Sequence, residues 1–64
     1  MQGKVKWYNS TKGFGFIQCE DNSEIFVHRT GLINMPEGLR EGQSVEFETK
    51  QEEKGPMAVN VKSL

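Results

Sequence analysis

The sequence predicts an all-β fold, a small barrel or sandwich built from five short strands. Apolar and polar residues alternate in several short runs, and a period of two is typical of strands with one buried face. Clusters of glycine, proline and small polar residues separate the runs and indicate turns. No window has the apolar spacing of an amphipathic helix. A chain of 64 residues is long enough for one domain only, to which we assign residues 1–64.

The five predicted strands follow one another along the chain, with a single long connection before the fourth. They are KVKWY, GFGFIQC, EIFVH, SVEFET and MAVNV. In the fourth run Val45 and Phe47 share one face, and the opposite face is acidic. In the fifth run Val59 and Val61 share one face in the same way. These four residues are therefore candidates for the core.

The long connection reads RTGLINMPEGLREGQ, and its proline and glycines exclude a sustained helix. A structureless loop of this length is unusual in a compact domain. We therefore expect Leu32, Ile33 and Leu39 to anchor the connection to the core through a single helical turn.

The second and third strands each have an aliphatic and an aromatic face. Their short connection indicates a hairpin, in which directly opposed residues point the same way. The aliphatic faces align when paired residue numbers sum to 42, which leaves a three-residue loop at 20–22, a common hairpin length. This register predicts three opposed pairs: Phe16 with Phe26, Phe14 with His28, and Ile17 with Ile25.

The aliphatic face of this hairpin is the better candidate for the core, because it matches the valines of the later strands. The aromatic face is then exposed, although burying one Phe would stabilise the fold by roughly 1.5–3 kcal/mol. Contiguous exposed apolar patches usually mark binding sites. The alternative is that both faces are buried between two sheets, for which the chain offers little material.

Unpaired nucleobases are the ligand that best fits flat aromatic rings beside lysines. Stacking on an aromatic side chain is worth about 1–3 kcal/mol per base, and lysines neutralise phosphates. Residues 1–19 hold three lysines and no acid, whereas residues 20–64 carry a charge of −4. That imbalance could also be chance on a solvated surface. A protein or peptide partner for the same face is the alternative function.

The two glycines beside Phe14 admit two interpretations. They keep the surface low, so that a base lies flat against the ring, or they mark a bulge or a tight bend of a barrel, and both interpretations can hold together. Duplex DNA is a poor ligand in either case, because the sequence offers no recognition helix for a major groove.

These residues resemble the bacterial cold-shock proteins, the cold-shock domain family. The resemblance rests on GKVKWYNSTKGFGFI, on EIFVH and on the GP, A and NV of GPMAVNV, and it covers nearly the whole chain. It implies a five-stranded antiparallel barrel of the oligonucleotide-binding type. It also implies binding of single-stranded RNA and DNA with low sequence selectivity and a preference for pyrimidines. Family members act as RNA chaperones in the cold stress response, and some affect transcription termination.

The resemblance also implies the binding residues. The stacking surface falls on Trp7, Phe14, Phe16, Phe26 and His28, and the polar contacts fall on Lys6, Asn9 and Lys12. Periodicity alone places Trp7 on the same face as the inward Val5, so exposing its ring requires a bulge or a strong bend.

Three positions depart from the family pattern. Arg29 stands where a further aromatic is common, and it either stacks on a base and pairs with phosphate or is a solvated arginine. Met35 is the only soft or flat side chain in the long connection, so we expect fewer stacked bases and weaker binding. Tyr8 stands where Phe is common, and we expect it to pack at the barrel edge with its hydroxyl in water.

Several classes of function are not expected. Cys19 and His28 are the only residues of their kinds, so we expect no disulfide, no metal site and no cofactor. Without an acid–base pair or a phosphate loop, we expect no enzyme. The first ten residues lack the apolar region of a secretory signal, and no run approaches a membrane span of ~18 residues. We therefore expect a cytoplasmic monomer, although the long connection would also permit strand exchange between chains.

Four of the nine acidic residues are expected on the far side of the domain, where they would repel nucleic acid from the wrong face. They are Glu46, Glu48, Glu52 and Glu53.

Overall fold

The computed structural model describes residues 1–64 and shows the all-β fold that the sequence predicts. The strands are β1 Gln2–Asn9, β2 Phe14–Cys19, β3 Glu24–His28, β4 Ser44–Glu52 and β5 Gly55–Ser63. A single 3₁₀ turn, Arg29–Gly31, follows β3 directly. No helix is long and apolar enough to cross a membrane.

The five strands close into a barrel in the order β1-β2-β3-β5-β4, with β4 pairing back to β1. Four of the seams are antiparallel. The fifth, between β3 and β5, is parallel, with Phe26 opposite Met57 and Val27 opposite Ala58. The antiparallel barrel that the resemblance implies therefore has one parallel seam. The reason is that the long connection carries the chain across the barrel, so that β5, antiparallel to β4, runs alongside β3 in the same direction.

The hairpin of β2 and β3 has the predicted register, including the three opposed pairs. Its three-residue loop closes where the Cys19 N–H donates to the Ser23 carbonyl at 2.7 Å. Asn22 has φ 70°, a left-handed conformation that asparagine tolerates better than most residues.

Asp21, in the same loop, accepts hydrogen bonds from the Ser23 hydroxyl and from the Ser23 N–H. These two hydrogen bonds hold the pKa of Asp21 below its usual value, and the bond from the hydroxyl has the larger effect.

The core fills the barrel interior with small and branched apolar side chains. Its members are Val5, Ile17, Cys19, Ile25, Val27, Leu39, Val45, Phe47, Ala58 and Val61. The predicted aliphatic face of the hairpin is thus inside, together with Val45 and Phe47.

The prediction that Val59 shares the inward face of Val61 is wrong. Glu46 lies opposite Lys62, whereas Glu48 lies opposite Val59, so β5 has one residue more than β4 in this interval. The extra residue is accommodated where Asn60 adopts φ 52°. As a result Ala58 and Val61 point inward, and Val59 is only partly buried.

The long connection is anchored by two of its three predicted residues. Leu39 is buried and Leu32 packs against the core, as expected. Ile33, by contrast, is 38% exposed, so the prediction for this side chain is wrong. The backbone is anchored there instead, because the Ile33 N–H donates to the Val61 carbonyl at 2.9 Å.

Candidate nucleic-acid interface

A bulge in β1 determines where the Trp7 ring points. Val5 lies opposite Ile17, but Trp7 lies opposite Phe16, so Lys6 is an extra residue on β1. The bulge reverses the alternation after Val5 and leaves Trp7 38% exposed. The sequence predicts that the Trp7 ring is exposed only if β1 contains a bulge or a strong bend, and the structure contains the bulge.

Four rings form an aromatic cluster on the outer face of β1, β2 and β3: Trp7, Phe14, Phe16 and Phe26. Centroids of neighbouring rings lie 5.6–6.0 Å apart, within the range of attractive aromatic pairs. Interplanar angles run from 30° to 74°, so no pair forms a parallel stack that would consume two ring faces. The three phenylalanines are partly buried, and none belongs to the core. The predicted exposure of the aromatic face is thus partial for each ring.

The strand registers align five outward side chains in a transverse row across all five strands. Successive partners are Trp7, Phe16, Phe26, Met57 and Lys50. The row continues the aromatic cluster through a thioether and ends at an ammonium group. Sequence reasoning missed Met57 and Lys50, because their place depends on the β3–β5 seam, which no local pattern specifies.

His28 lies opposite Phe14 at the end of β3, and its ring is held by the following turn. The Thr30 N–H donates to His28 Nδ1 at 3.2 Å, and the Thr30 hydroxyl lies 3.0 Å from the same nitrogen. Accepting the backbone N–H requires Nδ1 to be unprotonated, which assigns the proton of the neutral ring to Nε2. The ring is therefore oriented beside the aromatic cluster, with Nε2 as its free donor.

The predicted cations differ in how freely they could meet a phosphate. Lys6 Nζ lies 2.9 Å from a carboxylate oxygen of Glu24, and both side chains are about half exposed. Lys12 is exposed and forms no ion pair. Asn9 Oδ1 accepts the Lys12 N–H at 3.0 Å, so this oxygen is already occupied in the turn after β1. The Asn9 amide group remains as a donor.

Arg29 is placed beside the predicted surface. Its backbone N–H donates to the Gly13 carbonyl at 2.8 Å. Its side-chain stem covers Gly13, because a Cβ added to Gly13 would lie 2.7 Å from Arg29 Cδ. The guanidinium is therefore carried at the edge of the aromatic cluster, next to Phe14. This placement is compatible with both interpretations of Arg29.

The glycines beside Phe14 are required by the backbone. Gly13 has φ 77° and lies under the Arg29 stem. Gly15 is buried, and an added Cβ would collide with the Trp7 carbonyl oxygen of the adjacent strand. The structure therefore supports the interpretation that these glycines permit a tight bend of the barrel, and a low surface for a base stays a prediction.

The prediction of an acidic far side is wrong for the turn between β4 and β5. Glu52 and Glu53 line an open groove of about 630 Å³ together with Phe16 and Phe26. Glu52 also lies 3.7 Å from Lys50. Glu46 and Glu48 are exposed on β4 and do not line this groove. The hairpin of β4 and β5 thus brings two carboxylates to the edge of the aromatic cluster.

Tyr8, near the end of β1, and Met35, in the long connection, both pack against the core. An added Cβ on Gly38 would lie 2.6 Å from the Tyr8 ring. Tyr8 is thus at the barrel edge, as expected. Met35 is partly buried by this packing, which leaves less of the side chain for a ligand. No group of three or more His, Cys, Asp or Glu side chains is placed to hold a metal ion.

A closed five-stranded barrel with an outward aromatic cluster and adjacent cations is the architecture of an oligonucleotide-binding fold. The model of the "'Cold-shock' DNA-binding domain" family matches residues 1–64, and the chain belongs to this family, which binds nucleic acids.

Three bacterial relatives illustrate the similarity. The chain is 51% identical to cold shock protein CspA of Staphylococcus saprophyticus over 98% of this chain and 97% of the relative. It is 50% identical to CspB of Geobacillus stearothermophilus over the same shares. It is 48% identical to the cold shock-like protein CspC of Bacillus cereus over the full length of both.

A solved structure from Drosophila, Unr CSD456, has the same fold. The TM-score is 0.79 at 28% identity, over 98% of this chain. The chain spans 26% of that longer Drosophila chain.

Proposed function

We propose that this chain binds single-stranded RNA and single-stranded DNA with low sequence selectivity by stacking bases on the aromatic cluster. The carrying observation is the cluster itself: four partly exposed rings on one face of a small barrel. Stacking tolerates any base, because every base has a π-face, and this is the source of low selectivity. A duplex hides those faces, so it is a poor ligand for the same surface.

Each site residue has a proposed role. Trp7, Phe14, Phe16 and Phe26 stack on bases, and His28 adds a ring whose Nε2–H can donate to a base or phosphate. Phosphates and base edges around the cluster are contacted by three cations, Lys6, Lys12 and Arg29, and by the amide group of Asn9. For Arg29 the support is its fixed position over Gly13, at the end of the cluster where no carboxylate is paired with it.

The finer functional properties rest on the family resemblance. They are a preference for pyrimidine-rich strands and RNA-chaperone activity in the cytoplasm that keeps transcripts unstructured during cold stress. An effect on transcription termination or translation follows from the same activity. We propose one binding domain over residues 1–64 that works as a monomer, without catalysis, metal or membrane attachment.

The test uses Trp7 as an intrinsic probe, because it is the only tryptophan and belongs to the cluster. Oligothymidine and oligouridine should quench its fluorescence strongly, and a duplex of equal length should quench it far less. Equal responses to single strand and duplex would contradict the proposal. Absence of any response to nucleic acid would favour a peptide or protein ligand for this face.

A further inference from the structure

The groove that joins the aromatic cluster to the turn between β4 and β5 has a composition unlike the rest of the proposed interface. We propose that this groove, the hairpin-tip groove, is a base-specific subsite that favours guanine at one position of a single strand that is otherwise bound with low selectivity. The inference rests on the proposed function and adds to it the identity of one base. The lining of the groove includes three apolar side chains, Phe16, Phe26 and Met57, and three charged ones, Glu52, Glu53 and Lys54.

The floor of the groove suits the flat face of a base. Phe26 and Met57 are direct partners across the parallel seam, so a ring and a thioether lie side by side. A methionine sulfur is polarizable and makes favourable contacts with aromatic rings. Pro56 and Phe16 extend the apolar lining. A base stacked on the aromatic cluster could therefore have a neighbour that lies on Met57.

The carboxylates decide which part of a nucleotide can occupy the groove. Glu52 is paired with Lys50, whereas Glu53 is exposed and in no ion pair, so Glu53 is the carboxylate that disfavours a phosphate beside it. An ionised carboxylate is an acceptor only, and it therefore requires donors from its ligand. Base edges carry such donors. Glu53 belongs to neither of the two ion pairs of the chain, so its oxygens are free to accept them.

Guanine presents the arrangement of donors that a carboxylate matches best. Its Watson–Crick edge carries N1–H and the N2 amino group side by side, so both carboxylate oxygens can accept a hydrogen bond. Adenine places an acceptor, N1, beside its amino group. Uracil and thymine offer one N–H between two carbonyl oxygens, and cytosine offers one amino group. Lys54 in the same groove supplies a donor for guanine O6.

The experiment measures base preference at single positions of a heptathymidine host by Trp7 fluorescence. Guanine, inosine or adenine replaces thymine at each position in turn. Inosine keeps N1–H and O6 but lacks the N2 amino group. At one position we expect guanine to bind about tenfold more tightly than adenine, with inosine between them, as for a good bidentate base contact. In the double variant Glu52→Gln, Glu53→Gln this ratio should fall to near one.

A matched double variant, Glu46→Gln, Glu48→Gln, removes the same charge from exposed β4 residues outside the groove. It should retain the guanine preference. If heptathymidine binds but no position favours guanine, or if the preference survives Glu52→Gln, Glu53→Gln, the subsite is overturned and the proposed function stands. Loss of the preference in the control variant would equally overturn it. If the wild-type protein binds no single strand, the proposed function fails and the subsite fails with it.

Discussion

Trp7 lies directly opposite Phe16 across β1 and β2, although two residues earlier Val5 lies opposite Ile17. The inserted Lys6 brings a ring that would otherwise point into the barrel onto the face that carries Phe16, at a centroid distance of 5.6 Å. The barrel therefore keeps Val5 and Ile17 as core and gains a fourth ring outside. One additional residue in one strand separates a buried position, Val5, from an exposed one, Trp7.

The face assignment predicts opposite effects for two neighbours in β2. Phe16→Ala should weaken single-strand binding by about 1–3 kcal/mol, because a stacking ring is lost, with a smaller effect on folding. Ile17→Ala should lower the free energy of unfolding by about 2–5 kcal/mol, because Ile17 is fully buried. Its binding loss should disappear after correction for the folded fraction. Denaturation curves and oligonucleotide titrations measure both effects, and the reverse pattern would refute the stacking interface.

Salt dependence should be shallow. We expect about two to four phosphate contacts, from Lys6, Lys12, Arg29 and Lys4, which gives a slope of log affinity against log salt of about −1.5 to −3. Stacking supplies the remaining affinity. Titrations of oligothymidine over a decade of salt concentration measure the slope, and a value steeper than about −5 would mean that charge dominates.

The ion pair between Lys6 and Glu24 should restrain binding. Glu24→Gln removes the carboxylate that competes with phosphate for Lys6, so we expect higher affinity and a salt slope steeper by up to about 0.7, the part of one contact that the ion pair withholds. Glu20→Gln is the matched control, because Glu20 is exposed in the adjacent loop and forms no ion pair. An unchanged slope in Glu24→Gln, or the same change in both variants, would exclude a specific release of Lys6.

Gly15→Ala should destabilise the barrel. The new methyl group would meet the Trp7 carbonyl and lie 2.7 Å from Tyr8 Cα, and backbone cannot move aside as a side chain can. We expect a loss of about 1–3 kcal/mol in the free energy of unfolding, as in overpacked cores. Gln18→Ala, an exposed change on the same strand, should stay within about 0.5 kcal/mol in the same denaturation experiment. Equal stability of the two variants would contradict the close approach of β1 to Gly15.

Acid should loosen the turn between β2 and β3. The folded pKa of Asp21 lies below its unfolded value, so its contribution to stability is complete above the unfolded pKa and is lost as the pH falls through the folded one. An NMR titration should place the Asp21 midpoint below the ordinary value of about 3.9. Ser23→Ala removes the hydroxyl donor and should raise that midpoint, and no rise would mean that the hydroxyl is not the main cause.

Local sequence patterns predicted the part of the fold that depends on neighbours in the chain. The register of β2 and β3 follows from alternation and loop length, because a hairpin is a local structure. The two bulges were not predictable in position, since one extra residue leaves the composition of a strand unchanged. Because of the bulge near Asn60, Ala58 is buried in the core and Val59, which was expected there, is only partly buried.

The residues of the candidate site could be predicted from the sequence only in part, because local patterns do not specify pairing between distant strands. Alternation and the resemblance together identify Phe14, Phe16 and Phe26, whereas Trp7 rests on the resemblance alone. Met57, Glu52 and Glu53 reach the aromatic cluster only because β5 closes the barrel against β3. This seam joins segments far apart in sequence, and no local propensity specifies it.

The transverse row crosses every strand, so a nucleic acid lying along it would tie the whole barrel together. Opening any one seam would then break contacts with the ligand. Binding free energy would therefore be added to the free energy of global unfolding, by about 2.7 kcal/mol at a ligand concentration of 100 times Kd. Amide hydrogen exchange should accordingly slow in all five strands at once, including strands that hold no predicted binding residue.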